Sequence, residues 1–311
     1  TLLPQLLIAG VNYPNGLGVN RNTHALYVAG RNDRAIYRIN PLIGAITHVI
    51  PVGRQPFGTA VNTRTNKVYV ANFQDNTISV INEISASVMT TITLASFGEP
   101  TYVAINEQTN RIYVPLHRDG RLAVINGETD MLLATVEACA GAFGVAVDSI
   151  SNRIYVSCRD AQIIRTINAA TNEVIWEETI YLPGMPFSLG LDSALGQLYV
   201  PVADNPNDPN APRKVFVFRV PAILPSPHGI VLVKPGGPDG GGGVVVNPNT
   251  HRVFVTNSLD DSVTVFDGRT LAVLDTIPVG DNPLAAAVDA GLNYIYVGNR
   301  DSNNISLIPD W

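Results

Sequence analysis

The sequence lacks the long apolar run that a membrane-spanning helix requires. Although 46% of its 311 residues are hydrophobic, no apolar stretch approaches the roughly 20 residues that cross a bilayer. The opening TLLPQLLIAG has no basic start and contains Pro4, so it is a poor signal peptide, and we expect Thr1 to begin a mature chain. The composition predicts a large buried core and no transmembrane segment.

Charge is also scarce, and its sign does not suit nucleic acid. Only 15% of the residues are charged and the formal net charge is -6, whereas a protein that binds nucleic acid needs a basic face. The chain also lacks a Ser/His/Asp arrangement, a Cys/His metal spacing and a cofactor fingerprint. We therefore expect no nucleic-acid partner and no cofactor, and the missing catalytic motif favours a protein that is not an enzyme.

What the sequence does contain is one unit that occurs seven times. Each unit carries an aromatic residue in a -YV- motif, and successive aromatics are 42, 44, 42, 44, 55 and 42 residues apart. These aromatics are Tyr27, Tyr69, Tyr113, Tyr155, Tyr199, Phe254 and Tyr296. Most units place a proline thirteen residues before the aromatic. Every unit places Asn or Asp seven residues before it, and Asn, Gly or His three residues before it.

Each position in the unit predicts local structure. The runs GVAV and IYV are short, apolar and β-branched, which is typical of strands buried on both faces. An Asn or Asp at a strand end bonds its own backbone and starts a turn, while Asn, Gly and His tolerate a positive φ angle best. A third and a fourth strand follow, as in SVTVFD and AVLDTIPV. Four strands per roughly 42 residues are typical of a propeller blade.

The two ends of the chain predict how the ring closes. The last unit stops after its third strand at NISLIPDW, and the opening TLLPQLLIAGVNYP matches the fourth-strand segment AVLDTIPVGDNP. We therefore predict an all-β, seven-bladed β-propeller of four-stranded antiparallel blades, in which residues 1–10 or so complete the last blade. Residues 1–311 form a single domain in this prediction.

The repeat resembles that of a known family. The segments VYVAN…DNTISVIN and VFVTN…DDSVTVFD are similar to the YVTN β-propeller repeat, and the resemblance covers essentially the whole chain. That repeat occurs in bacterial and archaeal periplasmic, secreted and surface-layer proteins. Relatives of the superfamily include surface-layer modules, non-catalytic subunits of quinoprotein dehydrogenases and a few enzymes. The resemblance therefore implies a propeller that works outside the cytoplasm.

Residues at positions shared by all units are interpreted as structural. His24 and His251 occupy the turn position that is Asn or Gly in the other units. Asp148, Asp192 and Asp289 share a position with four asparagines. A position that accepts an amide equally well does not select a proton donor, so we assign none of these residues to a site.

The remaining polar residues are predicted to lie on one face of the ring. The loop before the first strand and the loop after the second strand share that face, which commonly carries the binding site. The candidate ligand-binding residues are Arg31, Arg54, Phe73, His117, Arg118, Arg159 and Arg300. Several arginines around one funnel suit an anion, because guanidinium is a planar donor fork. The alternative is that each arginine pairs with a loop aspartate such as Asp33, Asp119, Asp160 or Asp301.

Aromatic residues at the start of four first strands are a second candidate feature. Phe57, Tyr102, Phe143 and Phe187 either line the central channel, as a wall for a sugar or another ring, or pack between blades. The sequence leaves these two alternatives open.

Blade five departs from the repeat. Its loop ADNPNDPNAPRK carries Asp204 and Asp208 among hard oxygen donors of the kind that calcium takes. Calcium is therefore a candidate ligand, against the alternative of ordinary loop composition. The insertion SPHGIVLVKPGGPDGGGG lacks the residue order of a phosphate cradle. Its His228 fills no repeat position and stays a candidate functional residue.

The chain has two cysteines, which permit one disulfide at most. Cys139 precedes the first strand of blade four and Cys158 ends its second strand, and in an antiparallel hairpin those ends share an edge. A Cys139–Cys158 disulfide requires Cα atoms within about 7 Å and would fit an oxidising compartment. The alternative is two small apolar side chains that fill space.

Three classes of function stay open. The first is an extracytoplasmic (periplasmic, secreted or cell-surface) non-enzymatic module that binds a protein partner, a second copy of itself, or a small anionic or sugar ligand. The second is an enzyme of the lyase or lactone hydrolase type with its site in the central funnel, where His117, Arg118, Arg159 and His228 are the first residues to test. The third is a non-catalytic subunit of a redox complex. Fold does not decide between them, and we favour the first.

Overall fold

Each sequence unit folds as one small antiparallel sheet in the computed structural model of the chain. The structure describes residues 5–94, 98–203, 213–221, 227–234 and 242–310. Seven sheets are present in these ranges, and six of them run in chain order from the ring axis outward. The seventh combines the two ends of the chain.

The strands follow the predicted positions in the unit. Strand β1 (Gln5–Ala9) begins the described chain. Blade one contains β2 (Pro14–Val19), β3 (Leu26–Gly30), β4 (Ala35–Asn40) and β5 (Ala45–Pro51). Blade two contains β6 (Pro56–Asn62), β7 (Lys67–Asn72), β8 (Thr77–Asn82) and β9 (Ser87–Thr93). Blade three contains β10 (Ala104–Asn106), β11 (Arg111–Leu116), β12 (Arg121–Asn126) and β13 (Met131–Glu137).

The remaining blades repeat this order. Blade four contains β14 (Ala142–Asp148), β15 (Arg153–Cys158), β16 (Ile163–Asn168) and β17 (Ile180–Tyr181), with a 3₁₀ turn at Trp176–Glu178. Blade five contains β18 (Met185–Pro186), β19 (Gly190–Asp192), β20 (Gln197–Ala203), β21 (Arg213–Arg219) and β22 (Gly229–Val233). Blade six contains β23 (Val244–Val246), β24 (Arg252–Asn257), β25 (Ser262–Asp267) and β26 (Val273–Pro278). Blade seven contains β27 (Pro283–Asp289), β28 (Tyr294–Asn299) and β29 (Asn304–Pro309).

The ring closes through its inner strands and through β1. The innermost strands of every two neighbouring blades contact each other, including β2 with β27. Strand β1 pairs antiparallel with β29, with Ile8 opposite Ile305 and Ala9 opposite Asn304. The seven-bladed propeller, and the completion of its last blade by the N-terminal strand, are therefore confirmed.

The motif aromatics form the core between blades. All seven are at most 1% exposed. Tyr69 of blade two, for example, packs with Ile112 and Val114 of blade three. Burying an apolar side chain of this size contributes roughly 1.5–3 kcal/mol, so packing against the next blade stabilises each blade.

The predicted turn chemistry is also confirmed. The residue three before each aromatic has a φ angle between 52° and 60° in every blade, and it is Asn, His or Gly each time. The Asn or Asp seven before each aromatic accepts the backbone N–H of a residue two or three positions on. Asn20 Oδ1, for example, accepts from Asn22 at 2.8 Å and from Thr23 at 3.1 Å.

The same two turn positions join neighbouring blades. Asn62 Nδ2 of blade two donates to Asn110 Oδ1 of blade three at 2.7 Å. Between blades seven and one, the pair is instead Asp289 Oδ2 and His24 Nδ1, 2.8 Å apart. Further pairs of these two kinds are Asn247–Asn293 and Asp192–His251. The two histidines are thus structural, and each faces an aspartate where two other junctions, Asn62–Asn110 and Asn247–Asn293, match Asn with Asn.

The junction pairs predict which substitutions the ring tolerates. We expect the double variant Asp289→Asn/His24→Asn to keep nearly the unfolding midpoint of the wild type, because it copies the pair between blades two and three. Asp289→Ala should lower the free energy of unfolding by about 1–3 kcal/mol, because it removes a buried hydrogen-bond partner. Urea unfolding followed by circular dichroism measures both, and equal losses in the two variants would contradict the expectation.

Cys139 and Cys158 are joined by a disulfide, with their Cα atoms 5.7 Å apart, within the ordinary range. Cys158 is buried at the end of β15. The backbone N–H of Cys139 donates to Gly120 O of blade three at 2.9 Å. The bridge therefore secures blade four next to its contact with blade three.

We expect reduction of the intact protein to add the mass of two hydrogen atoms. Cys139→Ser/Cys158→Ser should unfold with a free energy lower by about 3 kcal/mol, the figure for a closed loop of about this length. Mass spectrometry before and after reduction checks the bond, and two thiols that alkylate freely in the folded protein would exclude it.

Candidate functional site

A repeated backbone hydrogen bond builds one rim of the ring. In five blades the residue fourteen before the motif aromatic has a positive φ angle, and its carbonyl accepts the N–H of the residue four after the motif aromatic. In blade three, Glu99 (φ 63°) accepts from His117 N at 3.1 Å. The other four bonds are Arg31 N to Tyr13 O, Phe73 N to Gln55 O, Arg159 N to Gly141 O and Arg300 N to Asn282 O, at 2.9–3.1 Å. The residues four after the motif aromatics, here called the rim residues, therefore occupy equivalent backbone positions in these five blades.

These rim residues surround a cavity of about 370 Å³ at one end of the central channel. Five of the seven predicted binding residues line it: Arg31, Phe73, His117, Arg159 and Arg300. The cavity therefore brings together side chains from blades one, two, three, four and seven. We call this cavity the funnel.

Arg54 and Arg118 do not line this cavity. Arg54 N donates to Asp75 Oδ2 at 2.6 Å, and the Arg54 guanidinium pairs with the same carboxylate. These contacts, the backbone bond first, lower the pKa of Asp75 from its ordinary value. Arg118 is exposed in a separate groove beside Asp119. Arg54 directly precedes Gln55, and Arg118 directly follows His117. The side chain of each arginine therefore projects in a different direction from that of its neighbour.

Aromatic rings form the wall of the funnel. Phe57, Tyr102 and Phe143 all line the cavity, and their ring centroids lie 5.4–5.7 Å apart in edge-to-face contacts. Phe187 is 1% exposed and packs on Phe143 at 6.0 Å. The first three aromatics therefore line the channel, while Phe187 packs behind them.

Two arginines of the funnel share one aromatic ring. The guanidinium carbons of Arg31 and Arg300 lie 5.5 Å and 5.0 Å from the centroid of Tyr13. Arg31 Nη2 donates to Gln55 Oε1 at 3.1 Å, and Arg300 Nε donates to Asp301 Oδ1 at 3.1 Å. Pairing with a loop aspartate therefore holds for Arg300, whereas Arg31 uses an amide and a ring.

Three side-chain nitrogens of the funnel are buried without a hydrogen-bond partner. They are Asn15 Nδ2, His117 Nε2 and Arg159 Nε. Asn15 is 6% exposed, and its amide nitrogen, like that of the guanidinium, only donates. Glu99 Oε2 lies 3.1 Å from His117 Nδ1, so Nε2 is the ring nitrogen left for another group. An unpaired buried donor costs about 1–3 kcal/mol, and an oxygen acceptor in the cavity would remove that cost.

Sequence reasoning missed several residues of the funnel. Tyr13, Asn15, Glu99 and Leu284 line the cavity and flank the repeated proline. These positions keep one backbone role in most blades but change their side chains. Asn15 stands where Phe57, Phe143 and Phe187 stand in other blades, and an amide at a position that is aromatic in three blades was the available signal.

The other candidates lie elsewhere. Asp204 and Asp208, proposed for calcium, fall outside the described residues. His228 is exposed on blade five, where its N–H donates to Val217 O at 2.7 Å, and it does not line the funnel. Within the described ranges, no three His, Cys, Asp or Glu side chains come together as metal ligands would. No helix in those ranges has the length and apolar character to cross a membrane.

Comparison with known proteins supports the fold. No protein-family model matches the chain, and no curated protein sequence matches it. Among solved structures, the chain is similar to Kuenenia stuttgartiensis hydrazine synthase, with a TM-score of 0.79, 14% identity and 96% of each chain covered. It is also similar to the WD40 repeats of RRP9, with a TM-score of 0.82, 14% identity and coverage of 98% of this chain and 97% of that chain. A third similar structure is U3-55K, with a TM-score of 0.79, 14% identity and coverage of 99% and 98%. At this identity the likeness shows the propeller fold alone.

Proposed function

We propose that the protein is a non-enzymatic binding propeller whose funnel holds a small organic carboxylate with an apolar body. The observation that carries the proposal is the set of three buried nitrogens without partners, on Asn15, His117 and Arg159, at an aromatic-walled cavity. A carboxylate offers two oxygens, each with room for more than one donor. Its oxygens therefore accept from the Asn15 amide and the Arg159 guanidinium, the two groups of this set that only donate.

The charge of the funnel supports an anion. Arg31, Arg159 and Arg300 line the cavity, and Glu99 is the one carboxylate among its described lining residues. The chain as a whole is acidic, with a formal net charge of -6. A positively charged cleft in a protein of negative net charge raises the local concentration of anionic ligands. A neutral sugar would use the aromatic wall but would gain nothing from this charge.

The aromatic wall and the volume of the cavity indicate the polarity and size of the group that carries the carboxylate. Aromatic side chains in edge-to-face contact, such as Phe57 and Phe143, accept another flat or apolar group at low cost. A volume of about 370 Å³ lies at the small end of the range for small-molecule sites. The funnel therefore suits a compact acid such as an aromatic or short aliphatic carboxylate.

A lyase is the second candidate. His117 lines the cavity, Glu99 Oε2 lies 3.1 Å from its Nδ1, and its Nε2 has no partner, which is the arrangement of an oriented general base. A mechanism through an enzyme nucleophile is not supported, because the described residues that line the cavity include no Ser, Thr, Cys or Lys for a base to activate. Binding without turnover stays the proposal, because the unpaired donors and the aromatic wall account for a bound carboxylate without a reacting group. Recovery of unchanged carboxylate after prolonged incubation separates the two candidates.

The proposal extends to family and location. We propose from the repeat itself that the chain is a member of the YVTN family. We propose from the Cys139–Cys158 disulfide that it functions outside the cytoplasm, since such bonds persist in oxidising compartments.

We expect benzoate to bind the purified protein and benzamide, its uncharged analogue, to bind far more weakly. Arg159→Leu should weaken benzoate binding about 10- to 100-fold, the value of one charged hydrogen bond. Isothermal titration calorimetry measures each affinity.

Arg54→Leu is the matched control, because Arg54 lies near the same rim but pairs with Asp75 outside the funnel. It should bind benzoate like the wild type. The proposal fails if a panel of aromatic and aliphatic carboxylates does not bind, or if Arg54→Leu loses as much affinity as Arg159→Leu.

A further inference from the structure

A second cavity continues along the ring axis below the funnel. Its volume is about 170 Å³, and most of its lining is apolar or glycine, including Leu17, Val145 and Leu189. Asn15 and Tyr102 line both this cavity and the funnel. These two residues therefore stand where the funnel meets the lower channel.

Tyr102 is the exception at its position in the repeat. The position eleven before the motif aromatic holds a small residue in the other six blades: Gly16, Gly58, Gly144, Ser188, Gly243 and Ala285. The glycines are required because the inner strands approach closely around the axis. A Cβ on Gly16 would lie 1.7 Å from Phe57 O, and one on Gly58 would lie 2.5 Å from Thr101 O.

The inner strand of blade three is interrupted at Tyr102, as the inner strand of blade five is at Ser188. Strand β10 begins only at Ala104, and a single bridge from Pro100 to Leu116 precedes it. The Tyr102 ring contacts two neighbours of the wall, with centroids 5.4 Å from Phe57 and 5.7 Å from Phe143, and those two rings also contact each other at 5.6 Å. Burial raises the pKa of Tyr102 to about 12, so its hydroxyl stays neutral in this apolar place.

We propose that Tyr102 is the floor of the funnel and limits the length of the ligand that binds there. Its ring separates the funnel from an apolar channel that would otherwise extend the site. The inference rests on the proposed function, because the ligand in question is the carboxylate. A ligand whose carboxylate accepts from Arg159 and Asn15 runs along the aromatic wall, and a longer apolar body must displace the Tyr102 ring, which contacts Phe57 and Phe143.

The test is a chain-length series on Tyr102→Gly. This variant gives blade three the residue that four other blades carry at the same position, so the fold has a place for it. Straight-chain carboxylates from butanoate to dodecanoate are titrated calorimetrically into both proteins. We expect the wild-type affinity to rise with chain length and then fall once the chain reaches the floor. In Tyr102→Gly the maximum should move to longer chains, with affinity increasing about fourfold for each methylene that enters the lower cavity.

Phe57→Leu is the matched control, because it trims the wall without opening the floor. It should change the affinity for all chain lengths without moving the maximum. An unchanged maximum in Tyr102→Gly, in a protein that does bind carboxylates, overturns the inference and leaves the proposed function standing. Tyr102→Ala, which copies Ala285 of blade seven, replaces the glycine variant if that variant does not fold.

If neither protein binds any carboxylate, the proposed function fails and the crystal structure of Tyr102→Gly decides the inference alone. One continuous cavity from the funnel into the lower channel supports Tyr102 as the floor. Collapse of Phe57 and Phe143 into the vacated space, or a partition that persists without the tyrosine, overturns it.

Discussion

The close approach of seven inner strands around one axis is the constraint on which the rest of the molecule depends. At Gly16 and Gly58 a Cβ atom would meet the backbone oxygen of the next blade, so the inner strands touch through their backbones there. That contact leaves the axis narrow and apolar. It also explains why a single tyrosine, Tyr102, suffices to divide the axial space into two cavities.

The rim shows how one scaffold carries varied chemistry. A residue with positive φ before each of five inner strands bonds the backbone of the rim residue in the same blade. The side chains on this constant frame differ from blade to blade, with arginine in blade one, phenylalanine in blade two and histidine in blade three. The funnel is therefore asymmetric although the ring is regular. Its buried nitrogens without partners, on Asn15, His117 and Arg159, come from three different blades.

Much of the fold could be predicted because the same short-range sequence preferences recur in all seven units. The turn positions need Asn, Asp, Gly or His for reasons that operate within a few residues, and the motif aromatics are all in the core. The site was predicted less well. Arg54 and Arg118 were placed in the funnel by their nearness in sequence, but each is one residue away from a position that faces the axis. The pairing of His24 with Asp289 was also missed, because its two partners are 265 residues apart.

The sequence by itself determined the number of blades, their turns and the closure of the ring by the first strand, because each follows from a repeated pattern of short-range preferences. Only the tertiary structure decided which side chains meet. Asn15, Tyr102 and Arg159 belong to three different blades, and they line one funnel because ring closure brings the ends of distant strands together. The physical reason is that a backbone conformation depends on its own neighbours in the chain, whereas a binding site depends on where the closed ring directs each side chain.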